Sequence, residues 1–290
     1  MVQVGAKASL SPIAASAAGT AVLYGCSSIQ IEPSEEIKKY VNPSNSNGKE
    51  IPVVFLHGGG LNISSMASLF SFFNQRGHPV FGEDNLPGHG TKPYNGGAIT
   101  MEELVEGHRD NLKKWGIDEH IVVGHSTGGM IALSHAIGHS RMYKGMVLAN
   151  TLDVYPGEYK AGFGFLFKIY IATSVPNFRS QEPYDFSEQI DGKVIYSRSV
   201  RYTNPKAVEA IMDAVEKYDV RNHIGKIQCP MLFVRALDDI VIEPEGVELM
   251  AKRATHAHLI DVRGGQYWIM KKQPSVEGVV GPRYGFLMNK

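Results

Sequence analysis

The sequence predicts an α/β fold, a mostly parallel sheet covered by helices on both faces, and three observations predict it. Apolar runs rich in Val, Ile and Leu recur along the chain, each stopped by glycine or turn residues, as in IPVVFLHGGG (51–60), HIVVGHS (120–126), KGMVLAN (144–150) and CPMLFVRALDD (229–239). Runs that are continuously apolar rather than alternating mark strands buried on both faces. Segments with helical periodicity lie between them, the alternation of a parallel sheet. Finally, 290 residues with 43% hydrophobic and 20% charged content suffice for one large core.

The elements follow in order. Residues 1–50 read as a leader plus linker: an Ala-rich, weakly apolar stretch from Ala8 to Gly25, then the polar, Pro- and Ser-containing segment Ile31 to Glu50. Cys26, after Leu23, Tyr24 and Gly25, resembles the lipidated cysteine of a bacterial lipoprotein signal, although Pro12, Ser16 and Thr20 interrupt the apolar run. The protein is accordingly read as either cytoplasmic or exported and anchored through Cys26. No apolar run approaches the length of about 20 residues needed to span a membrane.

The folded body starts at Ile51. After the first strand, SSMASLFSFFNQRG (64–77) reads as a helix and HPVFGEDN (78–85) as a strand. Thr100 and Glu103 form a capping box, Leu104, Leu112 and Trp115 continue the apolar stripe, and Gly116 supplies the stop. STGGMIALSHAIG (126–138) is the next helix. The alternation pauses between Thr151 and Ile227, an insertion read as a helical, aromatic cap, with Asn204 and Pro205 opening its clearest helix. It resumes with CPMLFVRALDD and HAHLIDVRGG (256–265).

Twenty-nine basic residues balance twenty-nine acidic ones, so no overall field attracts nucleic acid or an anionic membrane. The expected partner is a small, largely uncharged molecule, with membrane association only through a lipidated Cys26. Two cysteines, Cys26 and Cys229, are too few for a disulfide framework or a zinc site, and neither a metal nor another cofactor is expected. The oligomeric state has no sequence signal.

Chemistry enters at Gly124-His125-Ser126-Thr127-Gly128, a G-x-S-x-G turn between an apolar strand and a helix. Turning from strand to helix so sharply crowds the backbone, so the flanking positions must lack side chains if Ser126 is to project above the sheet. Upstream, His57-Gly58-Gly59-Gly60 ends the first strand. The N–H of Gly59, with that of Thr127 at its helix N-terminus, is placed to form an oxyanion hole.

These motifs, with LPGHG (86–90) and LDDIVIEP (237–244), resemble the α/β-hydrolase superfamily from about Ile51 to beyond Pro274. The resemblance implies an eight-stranded, mostly parallel sheet, a cap at about 151–227, and a triad in the order Ser, Asp, His. Its acid falls at Asp239, three positions after Ala236, with Asp238 and Asp153 as alternatives. Its base falls seven residues before Pro274, where GGQYW carries Tyr267 instead of histidine.

No histidine follows His258. His256 and His258 precede or begin a strand whose far end carries the loop with Tyr267, and His258 sits about 13 Å from that end at 3.3 Å per residue. His57 and His89 read as organisers of their glycine loops and His125 as packing beneath the turn. His78, His108, His120, His135, His139 and His223 have no catalytic spacing. Tyrosine is a poor base: with a pKa of about 10, only ~0.1% is phenolate at neutrality.

Three functions compete. The first is a serine hydrolase of small, largely apolar esters or related acyl compounds, impaired at Tyr267. The second is a non-catalytic ligand-binding pseudo-hydrolase, and the third a different chemistry, such as a cofactor-free lyase or oxygenase, with Tyr267 as hydrogen-bond donor or acid. Phe163, Phe165, Phe167 and Tyr170 in the insertion favour an apolar group on the ligand.

Overall fold

A computed structural model describes residues 50–158, 183–190, 193–200, 203–265, 269 and 275–288. The leader with Cys26, the aromatic residues 163–170 and Tyr267 lie outside the described residues. In chain order the strands are β1 (Val53–Leu56), β2 (Val80–Gly82), β3 (His120–His125), β4 (Tyr143–Ala149), β5 (Pro183–Ile190), β6 (Lys193–Val200), β7 (Met231–Ala236) and β8 (Ala257–Val262). The main helices are α1 (Ala67–Asn74), α2 (Met101–Trp115), α3 (Thr127–His139), α4 (Pro205–Val215), α5 (Pro244–Arg253) and α6 (Ser275–Val280).

Six strands form one sheet in the order β2-β1-β3-β4-β7-β8, and every pairing in it is parallel. All of β1, Ile121 to Val123, Met146 to Ala149 and Met231 to Val234 are buried, as their unbroken apolar runs require. Each such side chain contributes about 1.5–3 kcal/mol by leaving water. Because the strands are parallel, the chain leaves β1, β3, β4 and β7 on one edge of the sheet, and the candidate site is built there.

Helix ends follow their signals. Thr100 Oγ accepts from the Glu103 amide at 3.1 Å while Glu103 accepts from the Thr100 amide at 2.9 Å, and Gly116 stops α2 at a φ of 68°. Asn204 caps α4 by accepting from the Lys206 amide at 3.0 Å, with Pro205 in the first turn.

Six strands of the sheet lie among the described residues, and the eight implied by the resemblance are not all among them. One expectation is corrected. The insertion is not wholly helical: β5 and β6 pair as an antiparallel hairpin, Pro183 opposite Val200 through to Ile190 opposite Lys193. The sequence held the signal for it, since Asp191-Gly192 joins two runs containing alternate Tyr, Phe, Val and Ile, a strong short-range hairpin pattern.

Candidate active site

At the end of β3 the chain turns into α3 at Ser126, whose backbone adopts φ 51° and ψ −123°. Positive φ is unusual for a residue with a side chain and stores strain, held here by its surroundings. The Ser126 amide donates to the Ala149 carbonyl at 3.0 Å, and the Thr151 hydroxyl donates to the Ser126 carbonyl at 2.8 Å. Gly128 is required by contact: a Cβ there would lie 2.2 Å from the Leu56 carbonyl oxygen. The turn is thus clamped between the ends of β1 and β4.

The loop after β1 lies directly against this turn. A Cβ on Gly58 would come within 2.9 Å of Ser126 Cβ and 2.7 Å of His125 Nδ1, and one on Gly59 would sit 3.6 Å from the Thr127 hydroxyl. The HGGG segment and the start of α3 therefore face each other. Among the described residues, neither the Gly59 nor the Thr127 amide donates to a protein acceptor.

Two buried histidines shape this loop. The His57 amide donates to Asn85 Oδ1 at 2.9 Å, and the Asn85 amide donates back to His57 Nε2 at 3.1 Å. With Nε2 accepting, Nδ1 carries the hydrogen and donates to the Gly58 carbonyl at 2.9 Å. Burial lowers the His57 pKa more than the Asp84 charge raises it, so the 4.0 Å approach of His57 to Asp84 is a contact of a neutral ring, not an ion pair. His89 accepts from the Gly60 amide at Nε2, 2.9 Å, and pairs with the Pro87 carbonyl through Nδ1. Burial holds its pKa down at about 4.

Asp239 lies beyond β7, 7% exposed. Its Oδ1 accepts from the amides of Val241 at 2.8 Å and Ile242 at 3.0 Å, and Oδ2 accepts from the Asn150 side-chain amide. Three donors on one carboxylate fix its direction. Neighbouring Asp238 does a different job. Its carboxylate accepts from the Gly264 amide at 3.0 Å and its own amide donates to the Gly264 carbonyl at 3.2 Å, zipping the chain beyond β8 to the chain beyond β7. Asp153 is fully buried against Arg253, with contacts of 2.8 and 3.1 Å, and burial raises its pKa despite that cation.

The profile described as "Serine aminopeptidase, S33" matches residues 49–264, most of the chain. The protein belongs to this family of α/β-hydrolases. The chain is also similar to a proline iminopeptidase of Flavobacterium johnsoniae, 23% identical over 82% of this chain and 90% of the relative. It is 23% identical to a carboxylesterase of Bacillus subtilis over 72% of this chain and 80% of that one. Among solved structures, a carboxylesterase of the thaumarchaeon Nitrososphaera gargenis superposes with a TM-score of 0.67 at 17% identity, covering 87% of this chain and 99% of that one.

The structure sets the HGGG segment against the Ser126 turn and the start of α3, and Asn150, next to the Ala149 carbonyl that accepts from the Ser126 amide, reaches Asp239 with its side chain. Tyr267 lies outside the described residues; the Asp238–Gly264 pairing joins the chain beyond β8 to the loop after β7. His258, second in β8, stacks on Phe286 with ring centroids 3.9 Å apart. Among the described residues no cluster of three or more His, Cys, Asp or Glu is placed to hold a metal ion.

Sequence reasoning missed Asn150. It sits one residue after β4, buried, at a φ of 47°, with its amide donating to the Val234 carbonyl at 3.1 Å and its side chain on Asp239. Asparagine tolerates this left-handed backbone better than most residues, and its presence at the end of an apolar strand was the available signal.

Proposed function

We propose that the protein is a serine hydrolase of small, largely apolar carboxylic esters or related acyl compounds, slowed by Tyr267 in the position of the base. In this reading residues 51–290 are the hydrolase body, with the cap at about 151–227. The observation that carries it is the strained Ser126 turn with Gly58 and Gly59 packed against it, since backbone strain held in this way is a hallmark of a residue presented for chemistry. Relatives named carboxylesterase and putative esterase/lipase support ester substrates, while those named proline iminopeptidase widen the acyl class.

Ser126 Oγ attacks the acyl carbon, the oxyanion that forms is held by the N–H groups of Gly59 and Thr127, and the alcohol leaves. Water then releases the acid from the acyl-serine. Asp239 orients the group that accepts the serine proton. With a tyrosine there, the phenol is almost entirely protonated at neutral pH and takes that proton poorly. In a well-studied serine protease, loss of the histidine alone costs about 10⁶ in turnover, with roughly 10³–10⁴ over water surviving through binding and the oxyanion hole.

The test is hydrolysis of a short-chain p-nitrophenyl ester by the protein, by Tyr267→His and by Ser126→Ala. Tyr267→His should raise turnover by about 10³-fold or more, and Ser126→Ala should abolish the gain. A Tyr267→His variant as inert as its parent would sink the reading that only the base is lacking. Tyr267 itself favours a second reading, a ligand-binding pseudo-hydrolase, which predicts tight small-molecule binding without turnover in both forms.

A further inference from the structure

The loop between β2 and α2 touches two places at once. On one side, the fully buried His89 ring accepts the Gly60 amide, and Asp84 accepts from the Ile63 amide at 3.0 Å and from the amide and hydroxyl of Thr91 at 2.7 and 2.9 Å. On the other, the His89 backbone bridges to Thr203, the Asn204 amide donates to the Gly88 carbonyl at 2.7 Å, and Gly88 abuts Ala207 in the first turn of α4. The loop is internally braced by Gly88 with Lys92 and by His89 with Leu86 and Lys92. It has little freedom to move on one side alone.

We propose that His89 is a positioning residue that holds the Gly58–Leu61 turn, and with it the Gly59 amide, and ties that turn to the segment entering α4. The catalytic half of this inference rests on the reading of Gly59 as an oxyanion donor. A neutral histidine suits the task for a specific reason. Its Nδ1–H is committed to the Pro87 carbonyl, which leaves the Nε2 lone pair fixed in direction, and Gly60, at a φ of 75°, turns its N–H onto that lone pair. Gly59, the residue before it, lies against the start of α3, since a Cβ there would sit 3.6 Å from the Thr127 hydroxyl. A shift of the α4 entry would then reach the turn through one ring.

The experiment compares His89→Leu, which keeps bulk and lacks an acceptor, with His89→Gln, whose carbonyl can accept, in both the parent and the Tyr267→His background. Hydrogen exchange at residues 59–61 needs no activity. His89→Leu should speed it by about tenfold or more and His89→Gln should stay near the parent. For Ser126-dependent ester hydrolysis, His89→Leu should lower kcat by about 10–100-fold with KM changed less than about threefold, the size expected from displacing one oxyanion donor, and His89→Gln should recover most of it.

Ala207→Leu, a wedge against Gly88, should also speed exchange at 59–61, and less so when combined with His89→Leu, since the link is then already cut. Unchanged exchange in a folded His89→Leu protein overturns the holding role. Faster exchange with undiminished kcat overturns the catalytic one. If no Ser126-dependent hydrolysis exists in either background, the hydrolase reading has failed, and the exchange data alone decide whether His89 holds the turn.

Discussion

Buried histidines sit at both ends of the sheet, and the two groups are built differently. At the carboxyl ends, His57 and His89 have hydrogen-bond partners at both ring nitrogens. At the amino ends, His108 on α2, His120 at the start of β3 and His135 on α3 surround Tyr143 at the start of β4, with ring centroids 4.5 to 6.0 Å apart. Here only the Tyr143 hydroxyl is shared, 2.7 Å from His135 Nδ1 and 3.3 Å from His108 Nε2. Among the described residues, His108 Nδ1, both nitrogens of His120 and His135 Nε2 meet no hydrogen-bond partner. The first group spends its polarity on holding a loop, whereas the second serves as packing with polar atoms left over, at a cost of about 1–3 kcal/mol for each unmade bond.

The largest effect should appear in acid, and both groups carry it, since burial holds His89 at about 4 just as it does His135. Burial, followed by the neighbouring rings, holds His120 at about 3, His135 at about 4 and His108 well below 6.5; Arg109 and the exposed His139 also bear on His135, and Cys229, its thiol pushed up to about 12 by burial, bears on Tyr143. Folded pKa values below the unfolded 6.5 mean that the unfolded chain binds more protons. The stability is therefore complete above pH 6.5 and declines as pH falls toward 4 for His135 and toward 3 for His120. Each group contributes about 1.4 kcal/mol per pH unit inside its window. His120→Phe should remove close to one proton from the pH dependence of unfolding between pH 6 and 4.5, read from urea melts at several pH values. An unchanged slope would show that His120 is already charged, or solvated, in the folded protein.

A second contrast sets His57→Ala against His108→Leu. Removing His57 leaves the buried Asn85 amide without its acceptor and the Gly58 carbonyl without its donor, so a loss of about 2–4 kcal/mol is expected, together with a fall in any Ser126-dependent activity. His108→Leu removes an unpaired nitrogen and the long 3.3 Å contact to the Tyr143 hydroxyl, which keeps His135 at 2.7 Å, so its cost should stay within about 1–1.5 kcal/mol and activity should hold. Equal losses in thermal or urea melts would erase the distinction between the two ends of the sheet.

This contrast also shows what was legible in the sequence. The strands and their order of occurrence were readable because a parallel sheet needs continuous apolar runs, and α2 and α4 were readable because their caps are local. Ser126, Gly59 and Thr127 were readable as candidates because the turn's steric demands fall on consecutive residues. Asn150 was not, since it meets Asp239 across 89 positions and nothing local announces that contact. The amino-end histidines were set aside for lack of catalytic spacing, and they come together only because β3, β4, α2 and α3 begin or end on the same side. Tyr267, which the resemblance puts at the position of the base, lies outside the described residues.

The smallest effect is the most specific test of how the amino-end group is held. Tyr143 is fully enclosed, burial keeps its phenol protonated far above neutrality, and its single hydrogen serves either His135 or His108 while its oxygen accepts from the other. Tyr143→Phe retains the ring that packs against His120 at 4.5 Å and deletes only the shared hydroxyl. His135 Nδ1 and His108 Nε2 then lose that contact, so stability near neutral pH should fall by about 1–2 kcal/mol. The folded histidines also lose the one group positioned to accept a proton's hydrogen bond from them, so their protonation becomes still less favourable and the acid slope should persist to lower pH than in the parent. A variant as stable as its parent, with an unaltered slope, would show that the hydroxyl lies idle and that the rings are held by packing alone.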